Sequence, residues 1–234
     1  HASAHTAAMP RVLVRLLSLL LATVLCAGAL ASDRLRVVPD EDLDLADGYA
    51  AYQSRDPARA AVAFRKAADR NQRTAQFNLA VMYLAGDGVP ADPAAGVSWL
   101  RRAADNGMPR AQHALALLHE RGEHVARSLT EATRWYRKAA EQGWRDAQLN
   151  LATQYFLGRG APKDLKQAAH WYEKAAEQGD EGACYIVASM YEHGDGVARD
   201  LPLAYYWYAQ AAAHGDRSAE IKAREVMARI RRPG

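Results

Sequence analysis

The stretch "WYRKAAEQGW" runs from Trp135 to Trp144 and returns as "WYEKAAEQGD" from Trp171 to Asp180, with eight of ten positions unchanged. A near copy of this kind is a duplicated active site, a duplicated ligand motif, or a packing unit that must meet another copy of itself. Spacing decides between them. The two stretches lie 36 residues apart, and the same step links Trp99, Trp135, Trp171 and Trp207. It also links Ala75, Ala111, Ala147, Ala183 and Ala219; the pairs Ala103-Ala104, Ala139-Ala140, Ala175-Ala176 and Ala211-Ala212; and two glycine columns, Gly86 to Gly194 and Gly107 to Gly215. Columns that stay in phase across four units mark a repeat array.

Each unit divides into two helical stretches around a glycine-containing turn. In the first unit Ala75, Leu79 and Tyr83 stand at i, i+4 and i+8, on one face of a helix running from about Thr74 to Leu84. "GDGVPAD" follows: Gly86 and Gly88 can take the positive φ that ends a helix, and Asp92 can cap the next one. The second helix carries Trp99 and Ala103 one turn apart and stops at Gly107. Small alanines let two backbones approach while the indole fills the space beside them. A single hairpin cannot bury both of its faces, so neighbours must stack.

These columns resemble the Sel-one-like repeat, a relative of the tetratricopeptide repeat. Its pattern A-x-x-x-L-A-x-x-Y, G-x-G-V, D, then A-x-x-W-Y-x-x-A-A-x-x-G is met nearly column by column from Arg73 to Asp216. The resemblance implies an all-α chain, a right-handed α-α solenoid of stacked hairpins, with units at 73–108, 109–144, 145–180 and 181–216. Unit two departs from the pattern: His119 replaces the Tyr, His124 the second turn Gly, and Ser128 the Asp. A distorted turn is expected there. Residues 46–72 resemble a tetratricopeptide hairpin, with Gly48, Ala60, Phe64 and Ala67 at that family's spacing. Residues 217–234 supply a capping helix with a basic end, the closure a stacked array needs.

The N-terminal fifth reads differently. Arg11 and Arg15 precede an apolar run, Leu16 to Leu30, that closes on Ala29-Leu30-Ala31, the layout of a secretory signal peptide (9–31) cleaved before Ser32. The run is short for a bilayer span, which takes about 20 residues. No stable membrane span is therefore expected after cleavage; an uncleaved anchor is the alternative. Lipidation at Cys26 is disfavoured by Leu25, where that processing needs a small side chain. Residues 1–8 precede Met9 as a tag or upstream extension, and the acidic stretch 32–45 reads as a linker. Localisation is expected to be periplasmic, with secretion as the alternative. With Cys26 removed, Cys184 stands alone, so stability must come from packing, and the thiol reads as a small, partly buried hydrophobe.

Charge and motifs exclude most chemistry. Thirty basic against 27 acidic side chains leave +3, too little for a nucleic-acid partner. S-x-x-K, G-x-S-x-G, H-E-x-x-H and Walker motifs are absent, and no cofactor is expected. Asp87 with Asp92, and Asp195 with Asp200, superficially imitate a calcium loop but lack alternate ligands and a closing Glu. His113 and His119 sit six apart, off the i, i+4 spacing of a helical metal pair, so no metal site is expected. The phase of the Trp column with the alanines favours burial over glycan stacking, whereas Trp144, off the column, is expected to be exposed.

Function should lie where the copies differ. On the first helices the packing positions hold steady while an i, i+4, i+7 stripe varies: Phe77, Val81 and Leu84; His113, Leu117 and Glu120; Leu149, Thr153 and Phe156; Tyr185, Ser189 and Glu192. The resemblance implies that this stripe lines the concave side and takes a protein partner, making the chain a non-catalytic scaffold. Phe77, Phe156 and Tyr185 are the expected anchors, with Glu120 and Glu192 selecting a complementary charge. Two rival functions are an envelope glycan or peptidoglycan binder and a β-lactam-binding cell-wall enzyme; the family's members linked to β-lactams carry paired cysteines that this chain lacks.

Overall fold

The computed structural model describes residues 43–231, which form eleven helices and no strand. The expected signal peptide, upstream extension and most of the expected linker lie outside the described residues. Five antiparallel hairpins follow one another: α1 (Leu43–Gln53) with α2 (Pro57–Asp69), α3 (Arg73–Ala85) with α4 (Pro93–Asp105), α5 (Pro109–Arg121) with α6 (Leu129–Glu141), α7 (Arg145–Leu157) with α8 (Leu165–Glu177), and α9 (Glu181–His193) with α10 (Leu201–Ala213). Helix α11 (Arg217–Arg231) closes the stack. Each helix packs against its chain neighbours, so the array is an α-α solenoid. Helix α1 starts inside the stretch expected to be a linker, because Leu45 is buried and Asp44 pairs with Arg70.

Local chemistry sets the helix boundaries. Asp56, Asp92, Asp164 and Asp200 each accept from a backbone N–H of the first turn they precede, at 2.9–3.1 Å. Asp92 and Asp200 are thus N-caps. Ser128 does the same for α6, accepting from Glu131 N at 3.2 Å. The turn of unit two is not distorted as expected. Ser128 N donates to His119 O at 2.8 Å, as Asp164 N does to Tyr155 O at 3.0 Å. His124 keeps this geometry by adopting φ +59°, where Gly160 has +67°. Glycine is required at the latter, since a Cβ on Gly160 would lie 2.2 Å from Leu129 O.

The core is one continuous column of alanines and aromatics. Ala103, Ala139 and Ala175 are fully buried, as are Ala75, Ala111, Ala147 and Ala183 on the facing helices. Trp135 and Trp207 are buried with no acceptor for their indole N–H, so they fill space rather than bind. Lys138 caps the Trp135 ring at 4.2 Å. Trp171 is half-buried beside His170. Trp144, expected in solvent, is half-buried, and its ring lies 6.4 Å from that of His113. In the first hairpin the Phe64 ring occupies the space a Cβ on Gly48 would need, at 2.5 Å.

A polar ladder ties hairpin to hairpin. The buried amides of Gln76, Gln112 and Gln148 donate to Ala68 O, Ala104 O and Ala140 O at 3.0–3.2 Å. Their carbonyl oxygens accept from Asn106, Gln142 and Gln178 of the following second helix at 2.7–2.9 Å. Both ends of each buried carboxamide are thereby satisfied. Cys184 occupies the fourth place in this column, its Sγ 3.8 Å from Ala176 O.

Candidate functional site

The variable stripe lies over a tyrosine column that its own spacing conceals. Tyr136, Tyr172 and Tyr208 project from α6, α8 and α10, recur every 36 residues, and are buried. The stripe residues of each unit close around them. His113 lies 5.7 Å from the Tyr136 ring, centre to centre, and Tyr185 makes an edge contact with Tyr208 at 5.2 Å. Thr153 Oγ1 is 3.0 Å from Tyr172 Oη, and Phe156 meets the same ring edge-on at 6.4 Å.

In units one, two and four the third member of the triplet belongs to the hairpin seam. Tyr136 donates to Glu120 at 2.5 Å and Tyr208 donates to Glu192 at 3.0 Å. Glu120 also accepts from Gln154 at 2.8 Å, and Glu192 pairs with Arg229 of the capping helix. Leu84 fills the space above Gly96. Glu192 is therefore spoken for, and its expected role as a charge selector is corrected: a carboxylate 4% exposed, holding a phenol and a guanidinium, presents nothing to a partner, whereas Glu120 is half-buried with its two oxygens on Tyr136 and Gln154.

Electrostatics follow from this packing. Burial raises Glu192, but the hydrogen bonds from Tyr208 and Arg229, with the charges of Lys222 and His193, outweigh it and hold the carboxyl below its usual range. Tyr136 and Tyr208 are pushed upward by burial and by their glutamates, and Tyr172 by burial. His113 is lowered by burial, opposed by Asp146 and Glu120. It therefore favours the neutral ring, whose Nε2 lies 3.0 Å from Asn150 Nδ2. His119 instead reaches Ala126 O at 3.4 Å, so His113 and His119 have separate partners.

The remaining stripe residues differ in access. Val81 is 47% and Phe156 37% exposed; Leu117, Leu149, Tyr185 and Ser189 are half-buried. Phe77 is a further correction: it is 8% exposed, with the Arg110 guanidinium 5.0 Å above its ring, and so cannot serve as an open anchor. Sequence reasoning missed two exposed residues, Leu157 next to Phe156 at the end of α7 and Arg110 at the start of α5, over Phe77. The open part of the first-helix surface is thus Val81 on α3 and Phe156 with Leu157 on α7, while the Arg110 cation of α5 lies over Phe77. Nothing on it aligns a nucleophile with a base. It can bury apolar side chains and accept a carboxylate.

Comparison with known proteins agrees with this architecture. The family model described as Sel1 repeat matches residues 73–108, 109–144, 145–180 and 182–216. Among solved structures, c5321, a protective antigen present in uropathogenic Escherichia coli strains and displaying an SLR fold, is 35% identical with a TM-score of 0.69, over 77% of this chain and 39% of its own. A Sel1 repeat protein from Oxalobacter formigenes is 34% identical with a TM-score of 0.63, over 75% of this chain and 74% of its own. This chain spans about two fifths of the length of the E. coli protein. No curated protein matches it. Sel1 repeats generally mediate protein–protein interaction and generally lack catalysis. Four consecutive units in register, stacked as their columns require, place the chain in the Sel1 repeat family.

Proposed function

We propose that the chain is a non-catalytic scaffold of the bacterial envelope, exported by residues 9–31 and working in the periplasm, that holds a protein partner along the first-helix face. One observation carries the reading: the columns that hold the stack are buried in internal contacts, whereas Val81, Phe156 and Leu157 stay open and vary between units. A partner segment with apolar side chains spaced to reach successive hairpins, and an acidic group near Arg110, is the matching ligand. Glycan stacking finds less support, because Trp99, Trp135 and Trp207 are buried. A β-lactam-binding role lacks the paired cysteines of that branch.

A photo-crosslinking residue at position 81 or 156, introduced in producing cells, tests this. Discrete adducts from both sites, none from an equivalent at exposed Val62 on α2, and loss of the adduct at either site when the other carries Glu (Val81→Glu or Phe156→Glu) are expected. Adducts identical at all three positions, or none at 81 and 156, refute the face. Mass analysis of the exported chain is expected to begin at Ser32; a retained leader in a fractionated cell argues against export.

A further inference from the structure

The turn of unit three departs from its sister turns in both charge and apolarity. The residue after the first turn glycine is acidic in the other units, Asp87, Glu123 and Asp195, and is Arg159 here. The stripe position that precedes the turn holds Leu84, Glu120 and Glu192 elsewhere, and here it is Phe156, followed by Leu157. Phe156 is 37% and Leu157 48% exposed, so two adjacent apolar side chains stand open where unit two has a half-buried and unit four a buried carboxylate.

The cations of this turn lack the internal partners that hold their counterparts. Arg127 of unit two donates from Nε to Glu120 O at 3.0 Å, and Arg199 of unit four donates to Glu192 O at 3.1 Å. Lys163 occupies that column in unit three. Its ammonium faces the Phe156 ring, 5.9 Å from the ring centre, and makes no ion pair among the described residues. The exposed Arg159 guanidinium likewise has no hydrogen bond or ion pair among them. The backbone that carries Arg159 is nonetheless fixed at both ends. Its N–H donates to Gln154 O at 2.9 Å, and its carbonyl lies 3.3 Å from the Thr133 hydroxyl, which is shared with Leu129 O. Thr133 is peculiar to this junction, since Ala61, Val97, Ala169 and Tyr205 stand in its column elsewhere. Two uncommitted cations on a fixed turn need little reorganisation to meet an anion.

An anionic lipid surface is the rival occupant, and it fits less well. The Phe156 ring lies edge-on against buried Tyr172, at 6.4 Å, rather than projecting from the surface. The turns before and after carry exposed Glu123 and Asp195 at the place of Arg159. A flat anionic sheet spanning several units would meet those carboxylates too, whereas a chain segment can engage one turn. We infer, on the basis of the first-helix face proposed above as the partner surface, that the unit-three turn takes an acidic segment of the partner polypeptide. An apolar side chain of that segment covers Phe156 and Leu157, and its carboxylates pair with Arg159 and Lys163.

A photo-crosslinking residue at position 157, introduced in producing cells, tests this, with the linked peptide sequenced by mass spectrometry; the same residue at position 81 reports on the face as a whole. The peptide joined at 157 is expected to carry Asp or Glu on both sides of an apolar residue. Arg159→Asp with Lys163→Ala should lower the yield at 157 at least about tenfold without change in helicity or Tm, while Arg159→Lys retains it. The double variant copies Asp87 and Ala91 of the unit-one turn, so the fold already accommodates both residues. Adducts at 81 together with a basic or uncharged peptide at 157, or with a yield at 157 that the double variant leaves unchanged, overturn the inference and leave the face standing. No adduct at 81 or 157 removes the face and this assignment with it. Lipid adducts at 157, or cosedimentation with phosphatidylglycerol vesicles that the double variant abolishes, reassign the turn to a membrane surface and overturn the peptide.

Discussion

Tyr191 donates its phenolic hydrogen to Glu173 at 3.1 Å, in the place where Arg137 donates to Tyr155 at 2.6 Å. These are successive units of one column, and Arg137 against Glu173 is the internal difference between the two near-identical ten-residue stretches. A phenol both gives and takes a hydrogen bond, so a cation and an anion serve equally beside it. Exchanging Arg137→Glu or Glu173→Arg should therefore change stability by less than about 0.5 kcal/mol in denaturant unfolding. Tyr191→Phe, which removes the hydroxyl, should lose about 1 kcal/mol.

Glu192 joins the last hairpin to the cap. Replacing it with Ala strands the Tyr208 hydroxyl and Arg229, and should destabilise by about 2 kcal/mol at neutral pH. The carboxyl is held below its unfolded value, so its contribution is fully present above about pH 4.5 and disappears as pH falls through the depressed folded value. Unfolding curves of the Ala variant and the parent chain should be well separated at pH 7 and converge at strongly acidic pH. A constant gap would mean that packing, not charge, holds the cap.

Cys184 interrupts the glutamine ladder. Cys184→Gln, combined with His214→Gln to restore the donor found at Gln178, should raise stability by about 1 kcal/mol. Burial, then the charges of Asp180 and Glu181, pushes the native thiol up to about 12. Alkylation of Cys184 at pH 8, followed by peptide mass analysis, should be slow in the folded chain and accelerate in step with unfolding in urea.

His124 holds a left-handed backbone that its side chain resists. His124→Gly should stabilise by about 1 kcal/mol, with the turn unchanged. Gly160→Ala is the converse, and should destabilise strongly, because its Cβ would meet Leu129 O.

Much of the molecule was legible from its letters. The hairpins, the alanine contacts, the burial of Trp135 and the Asp caps follow from spacing because each recurs in most units. The tyrosine column runs through the last three units, and the glutamine column through the first three, yet their roles are invisible without partners. Gln148 is satisfied by Ala140 and Gln178, eight and thirty residues away, and Glu120 by Tyr136 and Gln154.

What the sequence determined alone is the local rule: a period of 36 residues, two helices per period, and turns where glycine or a capping acid is needed. Helix periodicity and positive φ are properties of short segments, so they are written locally. Only the tertiary structure decided which members of the variable stripe face outward. Phe77, Val81 and Leu84 share a helix face, but the second helix crosses that face at one end and Arg110 covers it at the other, leaving Val81 open. Exposure depends on what crosses from a neighbouring hairpin, and no one-dimensional spacing contains that angle.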